Sequence, residues 1–137
     1  MEIPDGFLYE YAVVRYVPRI DREEFVNIGL IMMCKRRRWM RGEIRLNRNR
    51  ILAFDPLANI DSLCRQASIF TRDDLPSDAM PVEERYRWLT AVKSAILQVS
   101  PSHPGLLVPE GNSPQDKETA IEMLNKEFDR LFEELVS

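Results

Sequence analysis

The chain has 137 residues, 45% of them hydrophobic and 30% charged, with a net charge of −3; this suits one globular domain and excludes a disordered chain, which is too poor in apolar residues to build a core. No run reaches the roughly 20 apolar residues of a membrane helix, and Glu2 and Asp5 ahead of Phe7 break the basic-then-apolar order of a secretory signal, so a cytoplasmic protein is expected. Two cysteines, Cys34 and Cys64, supply neither a disulfide framework nor a four-cysteine zinc site, and both are expected as reduced core residues.

Along the chain, Phe7 to Val17 is rich in aromatic and β-branched residues and ends at Pro18, which predicts a strand. Val26 to Cys34 predicts a second. Its nearly unbroken apolar character (Ile28, Leu30, Ile31, Met32, Met33) implies cover on both faces and a central place in the sheet. After the basic run Lys35-Arg36-Arg37-Arg38, Met40, Gly42, Ile44 and Leu46 alternate with Arg41, Glu43 and Arg45, the pattern of a half-exposed strand over Trp39 to Leu46, hairpin-paired with the second. Ile51, Leu52 and Phe54 form a short turn or helix before Pro56. Ile60, Leu63, Cys64, Ala67 and Phe70 then recur at helical spacing, with Asn59 or Asp61 as the cap.

Thr71 to Pro81 reads as a polar loop, Pro81 to Leu89 as a helix and Ala95 to Val99 as a fourth strand. Ser100 to Asn112, with its prolines and glycines, is expected to be irregular. Ser113-Pro114-Gln115-Asp116 combines an N-cap serine, a first-turn proline and an acid, and opens a last helix whose stripe is Ile121, Leu124, Phe128, Leu131, Phe132 and Leu135. The expected fold is therefore α+β: an antiparallel sheet of about four strands with helices on one face and an amphipathic C-terminal helix among them.

Charge divides the chain. Residues 1 to 50 hold 11 Lys and Arg against 7 Asp and Glu, and residues 51 to 137 hold 8 against 15. The first half is weakly basic and the second distinctly acidic, so nucleic acid is an improbable partner for the chain as a whole.

The most pointed polar sequence is the link between the first two strands, Arg22-Glu23-Glu24-Phe25-Val26-Asn27-Ile28-Gly29. Arg15 lies inside the first strand and Glu24 just before the second, so antiparallel pairing brings them within reach, either as a structural ion pair that fixes register or as part of a ligand site with Arg22 and Asn27. Gly29 allows close approach or a bulge. Arg36, Arg37, Arg38 and Arg41, beside Trp39, are the candidates for holding phosphates or single-stranded nucleic acid, against the alternative of a solvated turn.

His103 is the lone histidine, between two prolines and near Ser100 and Ser102, so any histidine-based chemistry has to be built around it. Asp73, Asp74 and Asp78 lack the spacing and glycine of a calcium loop, so no metal site is expected. Arg85-Tyr86-Arg87-Trp88 is expected to pack a helix onto the sheet. No P-loop, dinucleotide fingerprint, zinc motif or nucleophile elbow occurs, and no cofactor is expected.

Tyr11-x-x-x-Arg15-Tyr16-Val17-Pro18 followed by Arg22-x-Glu24-Phe25-Val26-Asn27-Ile28-Gly29 resembles the bacterial family catalogued as domain of unknown function 3037. Arg85-Tyr86-Arg87-Trp88-Leu89-Thr90 followed by Ser100-Pro101-x-x-x-Gly105 is similar to that family's second block. The resemblance implies a small protein without an established activity, associated in some cases with genes for HipA-type kinases. It leads to a non-catalytic protein-interaction module, with a kinase-type or toxin–antitoxin partner. The alternative is an enzyme or nucleic-acid-processing factor centred on Arg15, Arg22, Glu24 and Asn27, with His103 brought near by its loop.

Overall fold

The computed structural model describes residues 6–71, 80–91, 94, 96–108 and 117–136. In chain order they form β1 (Phe7–Tyr16), β2 (Val26–Cys34), β3 (Trp39–Ile44), α1 (Arg48–Phe54), α2 (Ile60–Ala67), α3 (Val82–Thr90), β4 (Leu97–Val99), β5 (His103–Leu107) and α4 (Lys117–Leu135), with short 3-10 turns at Ile20–Arg22 and Ser68–Phe70. The strands make one antiparallel sheet in the order β3-β2-β1-β4, and β5 also pairs with β1. The long β1 serves both partners, taking β4 against Val14 to Tyr16 and β5 against Phe7 to Tyr11.

The α+β antiparallel class is as expected, and β2 is interior as its apolar run implied. Two features differ from the expectation. The stretch after Ser100 is not irregular throughout: His103 to Leu107 is a fifth strand, because Pro104 falls opposite Glu10 at a position where β1 needs no N–H from it. The helices also lie on both faces rather than one. Ala12, Val14, Tyr16, Ile28 and Ile31 pack with Ile51, Leu63, Tyr86 and Leu89 of α1 to α3, whereas Phe7, Tyr9, Val13, Leu30, Met32 and Cys34 pack with Ala120, Leu124, Phe128, Leu131 and Phe132 of α4.

The alternation of faces along β2 is broken at one point. Val14 pairs with Gly29 and Arg15 with Asn27, so Ile28 is an extra residue, a β-bulge. Before it, Val26 and Ile28 face α1 to α3; after it, Leu30, Met32 and Cys34 face α4. Gly29 has to be glycine here because a Cβ would meet the Ile44 Cδ1, the Glu43 carbonyl oxygen at 2.8 Å and the Val14 Cβ at 3.3 Å.

The helix starts follow local chemistry. Asn47 accepts from the Arg50 N–H and Asn59 from the Ser62 N–H, each satisfying a first-turn donor. Of the two expected caps of α2, Asn59 is the one used. Cys34 is buried, and burial pushes its thiol pKa up, but Cys64 is exposed on α2 and is not the core residue expected. The loop expected at Thr71 to Pro81, the cap at Ser113 to Asp116, the acids Asp73, Asp74 and Asp78, and Ala95 at the start of the fourth strand lie wholly or largely outside the described residues.

Beside the basic run, β3 is tied to α4 by two parallel clamps. Arg41 lies 4.2 Å over the Phe128 ring and reaches Asn125, Glu43 and Asp129; Arg45 lies 4.6 Å over Phe132 and reaches Glu133 and the Val136 carbonyl. Each guanidinium covers an aromatic ring that would otherwise border solvent.

Candidate functional site

The bulge sets the polar link in place. Arg15 and Asn27 are cross-strand neighbours just beyond it, on the α4 side of the sheet. Asn27 donates from Nδ2 to the Leu135 carbonyl near the end of α4, at 3.0 Å, while its buried Oδ1 has no partner among the described residues. The Arg15 guanidinium lies 4.1 Å over the ring of Phe25, and its buried Nε also lacks a partner. Among the described residues Arg15 makes no ion pair. The expected Arg15–Glu24 contact is therefore not formed: Glu24 pairs instead with Arg22, at 3.2 Å, with both side chains more than half exposed.

Four of the expected residues are thus local neighbours in two arrangements, an exposed Arg22–Glu24 pair and a stacked Arg15–Phe25 pair with Asn27 beside it. The left-handed backbone of Glu23, at φ 55°, turns the chain between them. His103 does not join. It sits opposite Tyr11, four residues up β1 from Arg15, on the order of 13 Å at about 3.3 Å per strand residue. There its ring packs at a tilt against that of Tyr11, with centroids 5.3 Å apart.

The residues around His103 are structural in ways that composition did not reveal. Ser100 is buried, and its Oγ accepts the Val13 N–H at 2.9 Å while its own N–H donates to the Val13 carbonyl at 2.8 Å. Ser102 bonds both Tyr86, at 2.7 Å, and Glu10, at 3.2 Å, and so ties α3 to the sheet edge. Burial pushes the Tyr86 phenol up to about 12. The Tyr9 ring lies over Gly105 so closely that a Cβ there has no room, and its hydroxyl donates to Glu127 at 2.6 Å. The Arg130 guanidinium beside Glu127, with that phenol, holds the Glu127 carboxyl below the usual carboxylate range; burial, then the Glu127 contact, raises the Tyr9 phenol.

The four-residue turn Lys35 to Arg38 bends through Arg38, at φ 50°. Arg36 folds back to the Gly6 carbonyl at 2.9 Å and Arg37 lies 5.4 Å over Phe7. Lys35 and Arg38 line a cleft of about 630 Å³ with Met80, Pro81, Val82 and Glu83 at the start of α3. Arg41 faces α4 in its clamp. The four arginines therefore occupy separate surroundings rather than forming one basic patch.

Phe25 was not among the residues expected to matter, although an exposed aromatic between charges and a bulge is the signal that marks it. Among the described residues no group of three or more His, Cys, Asp or Glu could hold a metal ion, and no helix is long and apolar enough to cross a membrane.

Comparison with curated proteins finds no match, and neither does comparison with solved structures. A family model does match, over residues 11–136, a span that takes in the β1–β2 link, the bulge and both blocks of the resemblance. The chain belongs to the family described as Protein of unknown function (DUF3037).

Proposed function

We propose that this chain is a non-catalytic protein-interaction module that receives an acidic group of a partner on Arg15 and Phe25. One observation carries the reading: a guanidinium without an ion-pair partner among the described residues is stacked on a phenyl ring that is 44% exposed. Large aromatics and arginines are the side chains that most often anchor protein interfaces, and a planar fork of donors matches a carboxylate. The missing hydrogen bonds at Arg15 Nε and Asn27 Oδ1 each cost on the order of 1–3 kcal/mol while unmade, so small rearrangement on docking has something to gain.

Glu24, the residue a catalytic reading would use as base, is engaged with Arg22 in an exposed pair of the kind worth at most about 1 kcal/mol. Such a pair suits the polar rim of a contact. The partner the resemblance points to is a HipA-type kinase or a toxin–antitoxin component.

The test is affinity capture from the native bacterium followed by titration of the purified partner. Phe25→Ala and Arg15→Gln should each weaken binding by about 30-fold, the loss typical of a residue at the centre of an interface. Recovery of no stable partner, or affinity unchanged in both variants, refutes the reading.

A further inference from the structure

We propose that β5 is a self-association edge, through which two copies of this chain join their sheets antiparallel about a two-fold axis at Leu106. The proposal is independent of the Arg15–Phe25 face, which lies further along β1.

Main-chain directions come first. The N–H groups of Val13 and Val17 point towards the β4–β5 side, to Ser100 Oγ and to the Ile96 carbonyl. Odd-numbered residues of β1 therefore bond across to β4 and β5, and the register of Tyr9 with Gly105 makes His103, Gly105 and Leu107 their partners. Pro104, Leu106 and Val108 then present their main chain outward. Pro104, which has no N–H, occupies one of these outward positions, where its loss does not affect the pairing with β1.

The side chains add an apolar strip to this edge, which pairs with no further strand among the described residues. Leu8, Leu106 and Val108 are 67%, 43% and 50% exposed, and Leu8 stands directly across from Leu106 on the same sheet face. No acidic or basic residue interrupts Pro104 to Val108, although charge is the usual means of discouraging edge-to-edge pairing.

A second copy fits this edge better than an arbitrary strand. With the axis at Leu106, that residue and the partner's Leu106 exchange two hydrogen bonds. Each Val108 N–H then reaches the Pro104 carbonyl across the axis, so the only donors missing from the pairing are those that proline lacks. Directly opposed residues share a face, so a row forms from Leu8 and Leu106 to the partner's Leu106 and the partner's Leu8. An unrelated strand supplies the main-chain bonds but completes that row only by placing an apolar residue opposite Leu106; a second copy does so by symmetry.

Sedimentation of the whole chain from micromolar to sub-millimolar concentration tests this. The expected result is a shift from the 16.0 kDa monomer to twice that mass. Leu106→Glu and Leu106→Lys, both at an exposed position, should each stay monomeric with unchanged circular dichroism, and an equimolar mixture of the two should recover the doubled mass, because opposite charges then meet across the axis. A wild-type chain that stays monomeric throughout, a dimer that survives both substitutions, or a mixture that fails to associate each overturns the proposal. Monomers whose Leu106 and Val108 amides resist hydrogen exchange overturn it too, since the edge is then covered by the chain itself.

Discussion

Replacing Ser100 with alanine removes one oxygen atom and leaves the Val13 N–H without an acceptor. The side chain is 4% exposed, and Val13 is buried beside it, so water cannot easily take the place of the hydroxyl. The need arises because the β1 edge changes partner between β4 and β5, across Pro101, and the Ser100 Oγ stands where the next carbonyl of a continuous strand would lie. An orphaned buried amide costs about 1–3 kcal/mol, and the lost atom leaves too little space for a large cavity term. For a domain of this size that lowers Tm by roughly 4–10 °C. Urea denaturation should show a lower midpoint at an unchanged slope, and hydrogen exchange at the Val13 amide should accelerate, while Ser100→Thr, which keeps the oxygen, should recover most of both. A loss below about 0.5 kcal/mol, the size of an ordinary surface change, with Val13 still protected would show that the hydroxyl is not the needed acceptor.

Gly29→Ala should cost about 1–3 kcal/mol, because the added methyl meets the fixed Glu43 carbonyl as well as two side chains; thermal unfolding that matches the wild type would mean that the bulge has room to relax. Stability should also fall between about pH 10 and 12. Tyr16, raised by burial and then by its bond to Asp55, and Tyr86, raised by burial, both stand near 12 in the folded chain against 10.0 when unfolded, so their contribution is complete below the unfolded value and is lost as pH rises towards the folded one. Each adds a slope of up to about 1.4 kcal/mol per pH unit, and Tyr16→Phe or Tyr86→Phe should remove its own share; chemical denaturation with no such slope would refute the assignment. Binding to single- or double-stranded DNA or RNA should be weak at physiological salt. If any is measured, replacing Arg38 should reduce the salt slope by about one unit, whereas replacing Arg41 should mainly lower stability; tight, salt-sensitive binding abolished by changes at Arg36, Arg37, Arg38 and Arg41 would place nucleic acid first among the partners.

The first three strands and the final helix are legible in the sequence because each has a strong local pattern and few competing signals. β5 is hidden by its composition. Two prolines and a glycine flank or interrupt it, and only the pairing with β1 shows that Pro104 lies where no N–H is wanted and that Gly105 makes room for the Tyr9 ring. The second helical layer is hidden for a different reason. The continuous apolar run of β2 already required cover on both faces, but dividing it between α4 and α1 to α3 depends on the bulge, and one extra residue inverts the assignment of every side chain after it.

The same bulge governs what the candidate site became. Arg15 and Glu24 were expected to meet because both lie at the mouth of the β1–β2 connection, and simple antiparallel pairing supports that. The left-handed turn at Glu23 and the extra residue at Ile28 instead put Arg22 beside Glu24 and bring Phe25, not a carboxylate, under the Arg15 guanidinium. A charge can be half-buried on an aromatic face without a counter-ion because the ring's quadrupole partly replaces lost hydration. That replacement is incomplete, as the unbonded Nε shows, and it is this shortfall that distinguishes Arg15 from Arg41 and Arg45. Those two arginines also stack on rings, Phe128 and Phe132, but each donates from both terminal nitrogens to partners within the fold. Of the four arginines that lie over rings, Arg41 and Arg45 close the structure, whereas Arg15, like Arg37 over Phe7, keeps an unbonded Nε; if Arg15 were only another clamp, supplying it with an internal acceptor should stabilise the chain without changing what it binds.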